Sequence, residues 1–395
     1  MLGPSGKLAA SLSALPGTAL LEPLWRELEQ RADASFFQSW HWIGTWLDCL
    51  HAGTAAEMLR VEREGAVVGL GILVPRTVYR HGLLRSRGLF LNRTGDPRLD
   101  EITIEHNGFL AERGAEREVA QACADYLLAG RADWDELFLD GMRHPELVDG
   151  LSLEHAQVRT RSRDPCRYVD LAALRANGQE YVAALGRSTR YNIRRSLREY
   201  EKRGALELDE ATDPVQARAY LERLRHFHQR YWEQKGEPGS FANVFFAKFH
   251  ERLIERALSD GAVQLLRVSA GGAELGYLYN YVYRGRVYNY QSGFDYAGGG
   301  LHERPGLVCH LLAIEHNLRK GHAVYDFMAG DSDYKRNLST ASQTLAWQVI
   351  QRPRLKLRIE DTLRRVRDRL TGRGASPSAI APEFDAEPSR EARAP

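Results

Sequence analysis

Apolar positions recur at helical spacing over residues 20–31 and again over 40–50, where Trp40, Trp42, Trp46 and Leu50 fall near one face. A helix packed on a sheet is the plain reading of such an aromatic stripe. From Glu57 the period changes to two. Residues 58–61 and 67–78 predict strands joined by a turn at Gly65, and 83–91 predicts a third. A polar loop over 92–100 follows, then a strand over 101–105, a helix within 115–129 and a strand over 137–140.

The same order returns later in the chain. Residues 263–268, 274–283 and 286–292 predict three strands, a Gly-rich loop occupies 294–305, and a helix over 307–318 and a strand over 324–327 complete the series. The two hairpins also share a local pattern, Gly65-Ala66-Val67-Val68-Gly69 against Gly272-Ala273-Glu274-Leu275-Gly276. Five residues alone would mean little, but the order of elements around them agrees, which points to a duplication. Helical segments over 178–203, 214–235 and 241–259 precede the second series, and Asp164-Pro165 reads as a linker. The expected organisation is an N-terminal domain over 1–163, a second domain over 164–352, a basic helix over 353–372 and a disordered tail over 373–395. The tail follows from a run of Ala, Pro, Ser, Glu and Arg that has too little apolar surface to offset chain entropy.

Composition narrows the function. With 395 residues, 43% hydrophobic and 27% charged, the chain is long enough for two cores and of ordinary globular make-up. Cys49, Cys123, Cys166 and Cys309 are scattered without a paired spacing, so neither a zinc cage nor a disulfide framework is expected, and a reducing cytoplasm fits. Residues 1–21 lack a signal-peptide apolar core, and no run of apolar residues is long enough to span a bilayer. A net charge of +2 gives no global argument for nucleic acid and none for DNA, so basic function must be local.

The stretch Tyr325-Asp326-Phe327-Met328-Ala329-Gly330-Asp331-Ser332-Asp333-Tyr334-Lys335-Arg336 resembles the signature of the CelD/BioF2-like acetyltransferases, which are related to the FemAB peptidyltransferases within the GNAT superfamily. Phe37-Gln38-Ser39 before the Trp-rich helix, and Ser188-Thr189-Arg190-Tyr191-Asn192-Ile193-Arg194-Arg195 at the place of that family's basic helix, agree with it. The resemblance covers roughly residues 35–350. It implies an α/β fold of tandem GNAT-like domains, each a mixed, mostly antiparallel sheet flanked by helices. It also implies an enzyme that transfers an acyl group from acyl-CoA, or from an acyl carrier protein thioester, to an amine or hydroxyl by direct attack, with no covalent intermediate. The usual pyrophosphate loop, Gln/Arg-x-x-Gly-x-Gly/Ala, is replaced here by Phe294-Asp295-Tyr296-Ala297-Gly298-Gly299-Gly300-Leu301.

Individual residues then acquire roles. Gly298, Gly299 and Gly300, just before a predicted helix, would let backbone N–H groups approach a phosphate, unless they form only a surface loop. Asp326 at a strand end would take or orient the proton of an attacking amine, or else form a buried ion pair with an arginine. Lys335 and Arg336 would contact phosphates or developing charge. His302 is an alternative base and Tyr290 a donor to the leaving thiolate or the carbonyl oxygen; each has an ordinary packing role as its rival. Tyr277, Tyr279, Tyr281 and Tyr283 alternate on one strand face, suited to sheet packing or to an aromatic groove. Ser188 is a candidate N-cap for a helix in which Arg190, Arg194, Arg198 and Lys202 form one basic stripe, either solvated or facing the CoA phosphates, a lipid headgroup or RNA. His226 and His228 are too few for a metal site, and no metal is expected. The basic segment over 352–373 would either pack on the domain or rest on an anionic membrane.

The leading expectation is therefore acyl transfer to a cell-envelope acceptor, a long-chain amine giving a ceramide or a polysaccharide. Its rivals are a FemAB-type transferase using aminoacyl-tRNA and a non-catalytic GNAT-like scaffold in envelope biogenesis. The expected location is cytoplasmic, with the inner membrane face as a place of peripheral contact.

Overall fold

The alternation that begins at Glu57 becomes a meander in the computed structural model, which describes residues 6–51, 53–80, 84–297, 300, 302–360 and 362. The expected tail over 373–395 and most of the basic helix over 353–372 lie outside the described residues. In chain order the first elements are β1 (Leu8–Ala14), α1 (Thr18–Arg31), α2 (Trp40–Cys49), β2 (Glu57–Arg63), β3 (Ala66–Arg80), β4 (Leu84–Leu91), β5 (Leu110–Ala111), α3 (Glu116–Gly130), β6 (Glu136–Met142) and α4 (Pro145–Asp149). There follow β7 (Gln157–Asp170), α5 (Leu171–Ala176), α6 (Tyr181–Ala184), α7 (Arg187–Glu201), β8 (Leu206–Glu210), α8 (Pro214–Gln234), α9 (Val244–Ala257), β9 (Val263–Ala270), β10 (Ala273–Tyr283), β11 (Arg286–Phe294), α10 (Pro305–Arg319), β12 (Val324–Ala329), α11 (Asp333–Leu338) and β13 (Ala341–Gln351).

The chain divides into two compact units. The first runs to Asp164 and takes in the stretch that starts at Thr344; the second is Pro165–Gln343. Within the first, strands are ordered β1-β2-β3-β4-β6-β13, all neighbours antiparallel except β4 and β6, which pair in parallel at Gly88↔Glu136, Leu89↔Leu137 and Phe90↔Phe138. Within the second the order is β8-β9-β10-β11-β12-β7, again antiparallel except where β11 and β12 run parallel. Strand, two helices, three-strand meander, helix and strand therefore occur twice, so the duplication is visible element by element. Each sheet is closed by a strand that the simple order of the chain would not assign to it. β13, the last strand in sequence, pairs with β6 of the first unit, while the C-terminal half of β7 pairs with β12 of the second.

Several local expectations change. The N-terminal segment before residue 20, where no element is expected, contains β1, which pairs along its whole length with β2. Asp164 and Pro165 lie inside β7 rather than in a linker. The strand expected over 101–105 is absent; a helical turn, Asp100–Ile102, begins a folded crossing described below. The helix expected over 178–203 is broken at Leu185 and Gly186, and Gly186 rather than Ser188 precedes the first turn of α7. By contrast, Asp213 caps α8 by accepting from Val215 N (2.8 Å) and Gln216 N (2.9 Å), with Pro214 at the first helical position where its missing N–H costs nothing. Asn243 caps α9 in the same way.

The Trp stripe of α2 is core: Trp40, Trp42 and Trp46 are each 1% exposed. In the second unit β10 separates two environments. Tyr277, Tyr279 and Tyr281 point to α8 and α9 and are buried there, which is the packing role and not an open groove. Leu278 and Val287 face α10 in a cluster with Val308, Leu311, Ile314, Tyr325 and Phe327.

Candidate active site in the second unit

β11 and β12 pair at only three positions, Arg286↔Val324, Val287↔Tyr325 and Tyr288↔Asp326, and then part. Both strands carry an irregularity where they separate. On β11 the register to β10 slips between Tyr279↔Gln291 and Asn280↔Asn289, which leaves Tyr290 as the extra residue of a bulge. On β12 the register to β7 slips between Asp326↔Tyr168 and Ala329↔Cys166. The result is a gap flanked by backbone that no longer belongs to the parallel ladder, a place where N–H and C=O groups can meet a ligand.

Asp326 holds the β12 side of this gap. Its carboxylate accepts from Arg286 Nη1 (2.6 Å), Cys166 Sγ (3.1 Å) and the backbone N–H of Met328 (2.8 Å), and it is fully buried. Met328 sits at φ 65°, a left-handed conformation that a side chain adopts only when its surroundings enforce it. The bond from Met328 N to Asp326 is part of that enforcement. Of the two roles expected for Asp326, the structure displays the buried ion pair with an arginine. Burial is the largest single influence on the Arg286 guanidinium and lowers its pKa, but the charge and hydrogen bond of Asp326, with Tyr288 and Cys166, together turn the net shift upward.

Beyond β12, Lys335 is 5% exposed and donates to Ala329 O (2.5 Å). It lies beside His310 of α10, which stacks on Tyr334 (5.2 Å, 18°) and meets the edges of Phe294 and Phe327. Burial, followed by the charge of Lys335, pushes the His310 pKa down to about 3, so its imidazole is neutral. Among the described residues neither of its ring nitrogens has a hydrogen-bond partner. Arg336 is engaged with Asp331 and Asp333, and Asp331 also takes Arg167 (2.7 Å).

On the β11 side Tyr290 is 8% exposed and packs on Tyr281 (4.8 Å between centroids), His250 (5.0 Å) and Phe246 (6.2 Å). Burial holds His250 neutral, its pKa lowered to about 3, and its Nδ1 faces the Tyr281 hydroxyl at 3.4 Å. Gly293 allows the close approach of α8: an added Cβ would stand 2.3 Å from Leu224 O. His250, Gln291 and Asn289 were missed by sequence reasoning. Only their place in a strand or helix next to Tyr290 could have marked them.

The gap ends at the first turn of α10. Gly306 lets that turn sit on Phe294 and Tyr296, since a Cβ there would already lie 3.1 Å from the Phe294 ring. Of the three glycines expected to bind phosphate, Gly298 and Gly299 lie outside the described residues, and Gly300 donates its N–H to Glu303 Oε2 (2.9 Å). His302 is tied to α7: its Nε2 meets Arg195 and its carbonyl accepts from Ser196 Oγ (2.8 Å). Arg190 is directed at the carbonyls of Leu185 (2.6 Å) and Ala183 (3.4 Å), while Arg194 is exposed. The structure thus places Tyr290 and Asp326 on the two strands that part, and Lys335 beyond the end of one of them. His302, Arg190 and Arg194 belong to the α7 side.

The corresponding place in the first unit is filled by its own chain. Asn107 Nδ2 donates both to Leu91 O of β4 and to Asp140 O of β6, each at 3.1 Å, and so bridges the strands that would otherwise part. Its backbone N–H bonds Gly141 O (2.8 Å), Asn92, just after β4, donates its Nδ2 to Asn107 Oδ1 (2.9 Å), and Arg93 joins Asp100 and Asp140. This is the crossing that replaces the strand expected over 101–105.

A sheet whose parallel strands splay after a bulge, followed by a helix start, is the arrangement against which known proteins can be compared. Residues 187–336 match the model of the acetyltransferase (GNAT) domain. The match spans α7 to α11 and includes both strands of the gap. No curated protein matches the chain. Among solved structures, the crystal structure of FemX is 11% identical, with 89% of this chain and 99% of that chain covered at a TM-score of 0.55. The C-terminal domain of a putative lysylphosphatidylglycerol synthetase from Agrobacterium fabrum is 9% identical, with 88% and 96% covered at 0.51. At such identities these likenesses concern the fold, and they extend it over both units. The second unit is therefore similar to an acetyltransferase (GNAT) domain over residues 187–336. Among the described residues no helix is long and apolar enough to cross a membrane.

Proposed function

We propose that the second unit is an acyltransferase of the CelD/BioF2-like kind, which takes an acyl group from a CoA or carrier-protein thioester and delivers it to an amine or hydroxyl of a cell-envelope acceptor. The observation that carries this reading is the contrast between the two units. Among the described residues the pairing of β11 with β12 ends at Tyr288↔Asp326, whereas in the first unit the strands beyond the equivalent pairing are bridged by Asn107. A thioester lying along β11 would put its carbonyl among backbone N–H groups freed by the bulge, where charge on the oxygen develops during attack. The start of α10 is the place for the donor's phosphates, through helix-end N–H groups and in the absence of the usual glycine loop.

In this reading Tyr290 donates to the carbonyl or to the departing thiolate, and Lys335 supplies positive charge beyond β12. Asp326, already engaged by Arg286 and Met328 N, acts by fixing the strand rather than by moving a proton. Cys309 is buried and its thiol is pushed far up by desolvation, in keeping with direct attack and no covalent enzyme intermediate. The envelope acceptor, a sphingoid-type amine or a polysaccharide, is supported by the resemblance of the 325–336 segment, and the FemAB relationship of that resemblance, with the basic stripe from Arg190 to Lys202, keeps aminoacyl-tRNA as the alternative donor. Purified chain is to be incubated with acyl-CoAs of graded length and with cell lipid and glycan extracts, following free thiol release and product mass. Thiol release coupled to a new acylated product is expected. No release with any donor, alongside product from aminoacyl-tRNA, would replace this reading by the alternative.

A further inference from the structure

Behind the bulge runs a buried line of side-chain amides whose direction is set at both ends of one of its members. Glu210, on β8, is ionised: His316 Nε2 (2.7 Å) and Lys320 Nζ (2.8 Å) bond it, and its pKa falls to about 2 because these partners outweigh the larger single effect of burial. A carboxylate only accepts, so the group of Gln264 that faces Glu210 Oε2 at 3.2 Å is its NH2. A second anchor gives the same answer. Asn317 must turn its NH2 to the carbonyl of Ala313 (2.8 Å), and that NH2 also reaches Gln264 at 3.1 Å, so the atom of Gln264 there is the oxygen. Two acceptor-only groups, one a carboxylate and one a backbone carbonyl, thus fix the same amide orientation.

That orientation propagates. Gln264 Oε1 accepts from Asn280 Nδ2 (2.9 Å), and Asn280 Oδ1 in turn accepts from Asn289 Nδ2 (2.9 Å). Gln264, Asn280 and Asn317 are at most 1% exposed, so a reversed amide would leave buried donors facing donors. Asn289 ends the line. It follows the last parallel pair, Tyr288↔Asp326, and precedes the bulge residue Tyr290. It is 6% exposed, and its Oδ1 meets no protein donor among the described residues.

We propose that Asn289 presents its side-chain carbonyl, and never its NH2, at the mouth of the gap between β11 and β12, where it accepts a hydrogen bond from an N–H group of the substrate. The inference rests on the acyltransferase reading above and adds to it a required chemical feature. Two parts of a reacting pair carry such a group: the amides in the pantetheine arm of the donor, and the amine that attacks. Because each amide of the line both donates and accepts in one direction, the carbonyl of Asn289 is polarised from behind by the chain that ends on Glu210. Asn289 is in this sense a specificity-determining residue for a donor group.

The test uses the full chain and two probes, desulfo-CoA and the same molecule N-methylated at the pantetheine amide nearer its truncated end, with binding measured by calorimetry. In parallel, KM and kcat are measured for acetyl transfer from acetyl-CoA to a panel of primary amines. If the N–H belongs to the donor, the wild type prefers the unmethylated ligand by about 5–10-fold, the value of one buried hydrogen bond, and Asn289→Leu binds both alike. If it belongs to the nucleophile, donor binding does not discriminate, but Asn289→Leu raises the amine KM by a similar factor with kcat held. Either result supports the proposal, and loss of discrimination is a readout that mere destabilisation does not produce. Should Asn289→Leu fail to fold, Asn289→Ala takes its place. Wild-type binding without discrimination, together with unchanged amine KM in the variant, overturns the inference and leaves the acyltransferase reading intact. A wild type that neither binds desulfo-CoA nor transfers acetyl overturns both.

Discussion

At the residue scale the central question is what Asp326 does. Its carboxylate is saturated by Arg286, Cys166 and Met328 N, and Arg286 retains partial contact with solvent. Asp326→Asn should therefore cost on the order of 2–4 kcal/mol of stability, the range for breaking a buried pair reduced for a partner that reaches water. Thermal melting of that variant is expected to drop together with any acyl transfer. Full stability with activity alone abolished would return Asp326 to the role of base. A second expectation concerns pH. His228, His250 and His310 have pKa values lowered to about 4, 3 and 3, each chiefly by burial, against an ordinary value of 6.5. Between those values the unfolded chain binds protons that the native chain does not, so stability is fully present above about pH 6.5 and declines as pH falls from there toward 3. Denaturant titrations across this range should show the decline, and His310→Phe should flatten it; a profile indifferent to that substitution would contradict the neutral, buried imidazole.

At the element scale the sequence was informative wherever periodicity was regular. The helical segments over 214–235 and 241–259 and the alternating strands around Gly65 and Gly272 all correspond to elements that form. It was uninformative where tertiary pairing overrides local pattern. β1 is a short stretch of alternating small and apolar residues that becomes a strand only because β2 offers an edge, and β7 forms through a proline. Residues 101–105 have strand-like composition but are held as a crossing by Asn107, Asn92 and Arg93. The site was half legible: Tyr290, Asp326 and Lys335 were named from the family-like segment and its neighbouring strand. The amide line through Gln264, Asn280 and Asn289 was not, because single amides at period two carry no signal until the strands are paired. Gly293 illustrates the same limit. Gly293→Ala should cost about 1–3 kcal/mol by driving a methyl into the Leu224 carbonyl and shifting α8 from β11, measurable as a lower melting temperature; a neutral effect would mean that α8 does not approach so closely.

At the scale of the whole molecule, the closing strand of the first unit comes from the end of the chain. β13 pairs with β6 from Ala346↔Met142 to Gln351↔Glu136, and Arg354 and Lys356 continue the attachment by bonding Asp135. A chain ended at Gln343 should leave β6 with an open edge and aggregate, and adding residues 344–362 in trans should restore solubility; a soluble, folded truncation would show that β13 is dispensable. The duplication explains why only one unit is proposed to work. A short parallel pairing occurs in both, and the first unit bridges the strands beyond it with Asn107.

The most direct check is hydrogen–deuterium exchange of the full chain with and without an acyl-CoA. Protection concentrated in residues 289–294, at the start of α10 over 304–308, and along 326–329 is the predicted result. Protection confined to the first unit, or none at saturating donor, would contradict the placement of the thioester in the gap between β11 and β12.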